Sequence, residues 1–289
     1  MSNLGWSDIK ERRANMRAIL FVGHGSRDPE GNEQVQQFVD RLRPRLSASF
    51  HVETSFLEFG RPSISEGIAR CVEAGAAEVA VIPLILLPAG HSKLHIPAEI
   101  DEAKARYPHI MFRYGRPIGV HEQTFAILRE RLQEIGERPE QPDDGTAVIL
   151  LGRGGSDPDA NSDLYKIARL FWEQTGYALI EPAFMGVTTP SLDDAVRRCL
   201  MLGAKRIVVL PYFLFTGVLI KRLERQVAQY RLDHPHVSFA LADYVGFHPK
   251  LIDIVLDRLQ EVLDQTVAMN CDVCQYRLHV SHHHHHHHH

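Results

Sequence analysis

The sequence predicts an α/β protein of two tandem, similar Rossmann- or flavodoxin-like domains, with parallel sheets facing a central cleft. Three observations carry this. Short apolar runs alternate with amphipathic stretches, the pattern of successive βα units. The pattern runs twice, with landmarks returning 128 residues on: Pro190-Ser191 answers Pro62-Ser63, Cys199 answers Cys71, Gly203 answers Gly75, Pro211 answers Pro83 and Lys221 answers Lys93. Each half also closes its first strand with a glycine-rich loop, Gly23-His24-Gly25-Ser26-Arg27-Asp28-Pro29 and then Gly152-Arg153-Gly154-Gly155-Ser156-Asp157-Pro158.

Residues 1–16 mix charged and polar helix formers and read as a loose arm. The first domain spans 17–137. Its first strand is the apolar run 18–22, and Val35, Phe38, Val39, Leu42 and Leu46 then form a helical stripe. Residues 50–59 alternate as a strand. Ser63 to Glu66 is a capping box opening a helix with Ile64, Ile68, Cys71 and Val72 on one face, which Gly75 ends. The run 79–87 is the third strand, and Pro97 suits the first turn of the next helix. A strand over 110–114 and a helix marked by Phe125, Leu128, Leu132 and Ile135 complete the unit. Residues 138–145 belong to a polar stretch rich in Pro and Gly that reads as a linker. The second domain covers 146–265, and 266–289 is a tail.

Composition narrows the function. The net charge of −4 is mild, with basic and acidic residues interspersed, which points away from nucleic acid. No apolar run approaches the roughly 18 residues of a membrane span, and the N-terminus lacks a signal-peptide apolar region, so a cytoplasmic protein is expected. Cys71 and Cys199 fall in helices and read as small buried hydrophobes. His51, His109, His121 and His248 read as structural; the last two stand near helix starts, where they can cap.

The chemistry gathers at two loops. His24 follows the first strand, and His91, in Pro88-Ala89-Gly90-His91-Ser92-Lys93, follows the third. In an open parallel sheet ligands bind beyond the carboxyl ends of the strands, where strand order reverses. An order of 2-1-3-4 makes strands one and three neighbours, about 5 Å apart, so both imidazoles reach one crevice. Facing histidines suit metal and proton chemistry. The second half keeps the scaffold, but His24 becomes Arg153 and His91 falls on Leu219. The loops lack the Walker and GxGxxG spacings and the serine-hydrolase elbow.

These residues resemble a known family. The sequence looks like the long, duplicated form of the sirohydrochlorin chelatases, the CbiX/SirB type of class II chelatase. The similarity covers roughly 17–265 and is most specific at Gly23-His24-Gly25-Ser26-Arg27-Asp28 and Gly90-His91-Ser92-Lys93-Leu94-His95-Ile96-Pro97. It implies a chelatase-like fold and insertion of a divalent metal into sirohydrochlorin, with no organic cofactor. It also implies catalytic and metal-binding roles for His24 and His91, and a catalytic carboxylate at Glu58. One departure is His95, where the family more often has an acidic residue. Metallation must remove two pyrrole protons and deliver a dehydrated cation; imidazole can accept protons at pH 7 and suits Fe²⁺, Co²⁺ and Ni²⁺. The substrate carries eight carboxylates, for which Arg27, Lys93, Arg153 and Lys221 are the candidate partners, with a solvated surface charge the alternative for each.

The tail holds Met269-Asn270-Cys271-Asp272-Val273-Cys274. Some long-form relatives bind an iron–sulfur cluster through such a motif, which implies Cys271 and Cys274 as ligands; another metal, a redox pair or inert thiols are the other readings. Two thiolates leave a four-ligand cluster incomplete without His279, a partner chain or a non-protein ligand. The histidines at 282–289 have the form of a purification tag, with native metal-storing sequence the alternative. The resemblance, with the cysteine tail of the long form, implies a sirohydrochlorin cobaltochelatase, and the expected state is monomeric or homodimeric. Its rivals are a ferrochelatase using the same site and a non-catalytic carrier of metal or tetrapyrrole.

Overall fold

The computed structural model describes residues 16–265. The first repeat runs β1 (Arg17–Gly23), α1 (Pro29–Leu42), β2 (His51–Phe56), α2 (Ile64–Glu73), β3 (Glu78–Leu84), α3 (Ile96–Arg106), β4 (Met111–Tyr114) and α4 (Glu122–Glu134). The second runs β5 (Thr146–Gly152), α5 (Pro158–Glu173), β6 (Leu179–Phe184), α6 (Leu192–Met201), β7 (Arg206–Pro211), α7 (Val218–Asp233), β8 (Ser238–Leu241) and α8 (Pro249–Leu263). Each repeat forms its own four-stranded parallel sheet, ordered β2-β1-β3-β4 and β6-β5-β7-β8. This is the order read from the sequence, with the first and third strands of each repeat as neighbours.

The central strands are apolar because helices cover both faces of a parallel sheet. After Arg17 every residue of β1 is buried, and so is all of β5. On one face of the first sheet, Leu20, Val22 and Val81 pack with Ile68 and Cys71 of α2 and Ile100 of α3. The second sheet repeats this with Ile149, Leu151 and Val209 against Cys199, Leu223 and Val227. Burial pushes both thiols, Cys71 and Cys199, up to about 12, which leaves them as protonated, inert core groups.

The duplication extends to detail. Ser63 and Glu66 make a reciprocal capping box on α2, and Ser191 and Asp194 make one on α6. Both repeats carry a cis X-Pro bond, Arg61-Pro62 and Thr189-Pro190, and a bridge from strand end to cap, Phe56 to Ser63 and Phe184 to Ser191. His121 accepts from the Gln123 N–H at the start of α4, and His248 accepts from Lys250 at the start of α8, so both histidines cap as expected.

Repeat and compact unit are different divisions of this chain. By contacts, residues 16–25, 36–117 and 255–265 form one unit, and 26–35 with 118–254 form the other. The helix that closes each repeat thus counts, wholly or in its last turns, with the other unit. α4 is held by His248 and Lys250 on Glu130 and by the Val245 carbonyl on Arg131. The end of α8 is held by Arg258 on the Pro117 carbonyl and by Glu261 on Arg116. The linker is packed rather than loose: Pro139 is buried, its carbonyl accepts from Gly176, and buried Glu137 pairs with Arg206. Among the described residues, no helix is long and apolar enough to cross a membrane.

Candidate metal site at the carboxyl edge of the first sheet

Register brings three loops together. Gly23, at the end of β1, pairs with Phe56 on one side and Leu84 on the other, so all three chains leave the sheet at the same level. The loops that follow carry His24, Glu58 and His91. The strand expected over 50–59 ends at Phe56, because Phe59 adopts a positive φ of 53° and the chain turns there. Leu57 and Glu58 nonetheless donate to the Gly23 and His24 carbonyls at 3.0 Å, so Glu58 is held beside His24. β3 likewise ends at Leu84, short of the expected 87, where its partner β1 has run out.

Gly25 makes the approach possible. Its φ is +91°, and a Cβ built on it would stand 1.6 Å from the Glu58 carbonyl oxygen, so only glycine fits. Asn32 ties the loop from below: its side chain accepts from the Ser26 N–H at 2.8 Å and donates to the Ser26 carbonyl at 3.0 Å. Asn161 does the same for Gly155. The matching asparagines, each six residues past the residue it holds, were a sequence signal left unread.

His91 opens a π-helical turn, His91–His95, that runs into α3. Pro97 sits in the first turn of α3 and has no N–H to continue an α-helical ladder, while Ile96 donates five residues back, to His91. Such turns recur at functional sites. Buried Ser92 anchors this one: its hydroxyl donates to the Ala89 carbonyl at 3.0 Å, and its carbonyl accepts from Tyr114 at 2.7 Å.

The three side chains converge. His24 Nδ1 lies 3.6 Å from Glu58 Oε1 and 3.1 Å from the Gly25 carbonyl. The His24 and His91 rings meet edge to face, centroids 4.6 Å apart at 86°. One ligand atom from each of His24, Glu58 and His91 lies within 4.8 Å of the others, and all three residues are half-buried. Among the described residues this is the one such group of three or more histidine, cysteine or acidic side chains. Two imidazoles and one carboxylate form a donor set for a first-row divalent ion that leaves positions open for incoming ligands.

In the second repeat the set is gone. Arg153 follows β5, and the residue whose N–H reaches its carbonyl, at 3.2 Å, is Gly186 where the first repeat has Glu58. Leu219 packs against the second core. Of the candidate carboxylate partners, Arg27 and Arg153 are exposed and Lys93 is half-buried beside His91. Lys221 is engaged: its ammonium lies 2.6 Å from Asp28 and 2.8 Å from Glu30, and it holds the Asp28 carboxyl below the usual carboxylate range. His95, singled out in the sequence as a departure, contacts His91 through Nδ1 at 2.8 Å. Cys271, Cys274 and His279 lie outside the described residues, as do the arm up to residue 15 and the histidine run.

A duplicated open α/β fold with a two-histidine, one-glutamate cluster at the carboxyl edge of one sheet defines an α/β protein with a candidate metal site. The chain belongs to the CbiX family, whose model matches residues 18–135 and again 147–262. It is 62% identical over 271 residues to the sirohydrochlorin cobaltochelatase of Priestia megaterium, covering 92% of this chain and 88% of that one. It is 36% identical over 245 residues to the sirohydrochlorin ferrochelatase of Bacillus subtilis, covering 85% and 91%. Among solved structures, SirB from Bacillus subtilis with Fe³⁺ superposes with a TM-score of 0.74 at 36% identity, over 85% of this chain and 95% of that one. SirB from Bacillus subtilis subspecies spizizenii in complex with cobalt gives 0.71 at 35%, over 85% and 94%.

Proposed function

We propose that this chain is a sirohydrochlorin cobaltochelatase, in which His24, His91 and Glu58 carry the reaction. The observation that supports it most is the convergence of these three side chains in a chain so similar to the Priestia megaterium cobaltochelatase. His24 Nδ1 faces a carbonyl, which can only accept, so its proton sits there and Nε2 bears the lone pair for the metal. The imidazoles and the Glu58 carboxylate replace water on the incoming Co²⁺. As the ion passes to the ring nitrogens, the vacated imidazole lone pairs take the two pyrrole protons and return them to solvent. Metal enters, two protons leave, and no electron moves.

Arg27, Lys93 and Arg153 are the proposed partners of the substrate carboxylates, through charge-assisted hydrogen bonds. Lys221 joins them by exchanging Asp28 and Glu30 for substrate. Cys271 and Cys274 are proposed to hold an iron–sulfur cluster with ligands from a second source; anaerobic absorption and paramagnetic resonance of a Cys271→Ser, Cys274→Ser variant test this. We infer that the enzyme acts in the cytoplasm, as a monomer or homodimer, without nucleic acid or membrane.

The ferrochelatase reading has its own support in the Bacillus subtilis relatives, since the same donors suit Fe²⁺. Anaerobic metallation of sirohydrochlorin, followed by absorbance with Co²⁺ and Fe²⁺ in separate runs, separates the readings. Many turnovers with Co²⁺, faster than with Fe²⁺, are expected. Faster turnover with Fe²⁺ would assign the chain to the iron branch, and stoichiometric binding without metallation would make it a carrier.

A further inference from the structure

His95 is the side chain at this edge that the proposed chemistry leaves unused. It follows His91 by four residues through the π-helical turn, with Nδ1 2.8 Å from the Nδ1 of His91 and ring centroids 4.9 Å apart. Two imidazoles joined nitrogen to nitrogen hold one proton between them, and the ring that carries it decides what His91 can do. If His95 donates, His91 accepts at Nδ1 and keeps its own proton on Nε2, so neither of its nitrogens can take a metal. If His91 donates, its Nε2 carries the lone pair. His24 faces no such choice, because its Nδ1 meets the Gly25 carbonyl. His95 is exposed, so water can accept its Nε2–H while its Nδ1 lone pair turns to His91.

We propose that His95 is a positioning residue: it accepts the Nδ1–H of His91 and so fixes the tautomer in which His91 offers Nε2 to the metal. This rests on the reading of His24, Glu58 and His91 as the metal-holding group. A ligating histidine is oriented by whatever its second nitrogen bonds, and losing that partner lowers metal affinity or activity about 10- to 100-fold.

The test uses the full chain labelled with ¹⁵N at histidine, with long-range proton–nitrogen correlation to read tautomers and a His91→Ala variant to assign the His91 signals. Metallation with Co²⁺ and sirohydrochlorin is measured in parallel. Wild-type His91 is expected in the Nδ1–H form. His95→Asn puts an amide oxygen near the lost Nδ1; it should keep that form and turn over close to wild type. His95→Leu should let His91 drift toward the Nε2–H form and lower kcat by about 10- to 100-fold, with KM for sirohydrochlorin unchanged. The proposal is overturned by a wild-type His91 protonated on Nε2. A His95→Leu variant with unchanged tautomer or unchanged kcat also overturns it, as does His95→Asn failing as badly as His95→Leu. Those results touch His95 alone. Wild-type turnover by His91→Ala would take down the metal-holding group itself, and the role of His95 with it.

Discussion

Gly25→Ala should damage catalysis far more than stability, and Gly154→Ala should do the reverse. A methyl at position 25 would stand 1.6 Å from the Glu58 carbonyl oxygen and 2.7 Å from its carbon. A carbon–oxygen contact settles at about 3.3 Å, so the Glu58 backbone must retreat by roughly 1.7 Å. The left-handed backbone at φ +91° costs alanine about 1–2 kcal/mol. Loss of the bond from Glu58 N–H to the His24 carbonyl adds about 0.5–1.5 kcal/mol. The sum, about 1.5–3.5 kcal/mol, is a large share of ordinary stability but leaves a folded protein. A displacement above 1 Å within the group proposed to hold the metal should cost turnover about 100-fold. Gly154 has φ +84°, and its Cβ would stand 2.1 Å from the Gly186 carbonyl, so its stability cost is similar. No side chain of the proposed metal-holding group hangs on that contact. Thermal melts and Co²⁺ metallation on both variants decide the matter: equal melting losses with a far larger turnover loss in Gly25→Ala are expected. Equal turnover in the two variants would refute the assignment of this loop to the site.

Three further outcomes follow from the same geometry. Asn32→Ala strands the Ser26 N–H and carbonyl, so it should cost about 1–3 kcal/mol and also slow metallation, while Asn161→Ala should cost as much with metallation unchanged; denaturant titration and turnover measure both. The backbone N–H of Ser63 holds the Glu66 carboxyl below its usual range, and that of Ser191 does so for Asp194. Their stabilisation is complete above the unfolded values, about 4, and is lost as pH falls through the lowered folded values; Glu66→Gln with Asp194→Asn should flatten that acid limb in denaturation curves run below pH 5. Arg153→His should bind no more Co²⁺ by calorimetry than the wild-type chain, because Gly186 and Leu219 supply no ligands beside it.

What was legible in the sequence was local or periodic. Apolar runs report burial on both faces, so β1, β3 and β5 followed from them, while the strand order came from the flavodoxin-like expectation. Ser63 to Glu66 and Ser191 to Asp194 are contiguous caps, and both formed as read. His24 and His91 were legible because each follows a buried apolar run, and an order of 2-1-3-4 makes those two strands neighbours. Other features depend on groups distant in the chain. Glu58 looked like part of a strand, and its place at the site depends on a positive φ at Phe59 and on the glycine at 25. That α4 counts with the second unit rests on Glu130 and Arg131 meeting residues more than a hundred positions away. The engagement of Lys221 by Asp28 spans nearly two hundred. The bond from His91 to His95 is local, but it needs a π-helical turn that hydrophobic spacing does not report.

The most direct test of the central claim is anaerobic Co²⁺ insertion into sirohydrochlorin by wild type, His24→Ala and His91→Ala, measured against the uncatalysed rate, with thermal melts to confirm folding. The account predicts many turnovers by wild type and a fall toward the uncatalysed rate in both variants at unchanged melting temperature. Folded variants that turn over like wild type would contradict it.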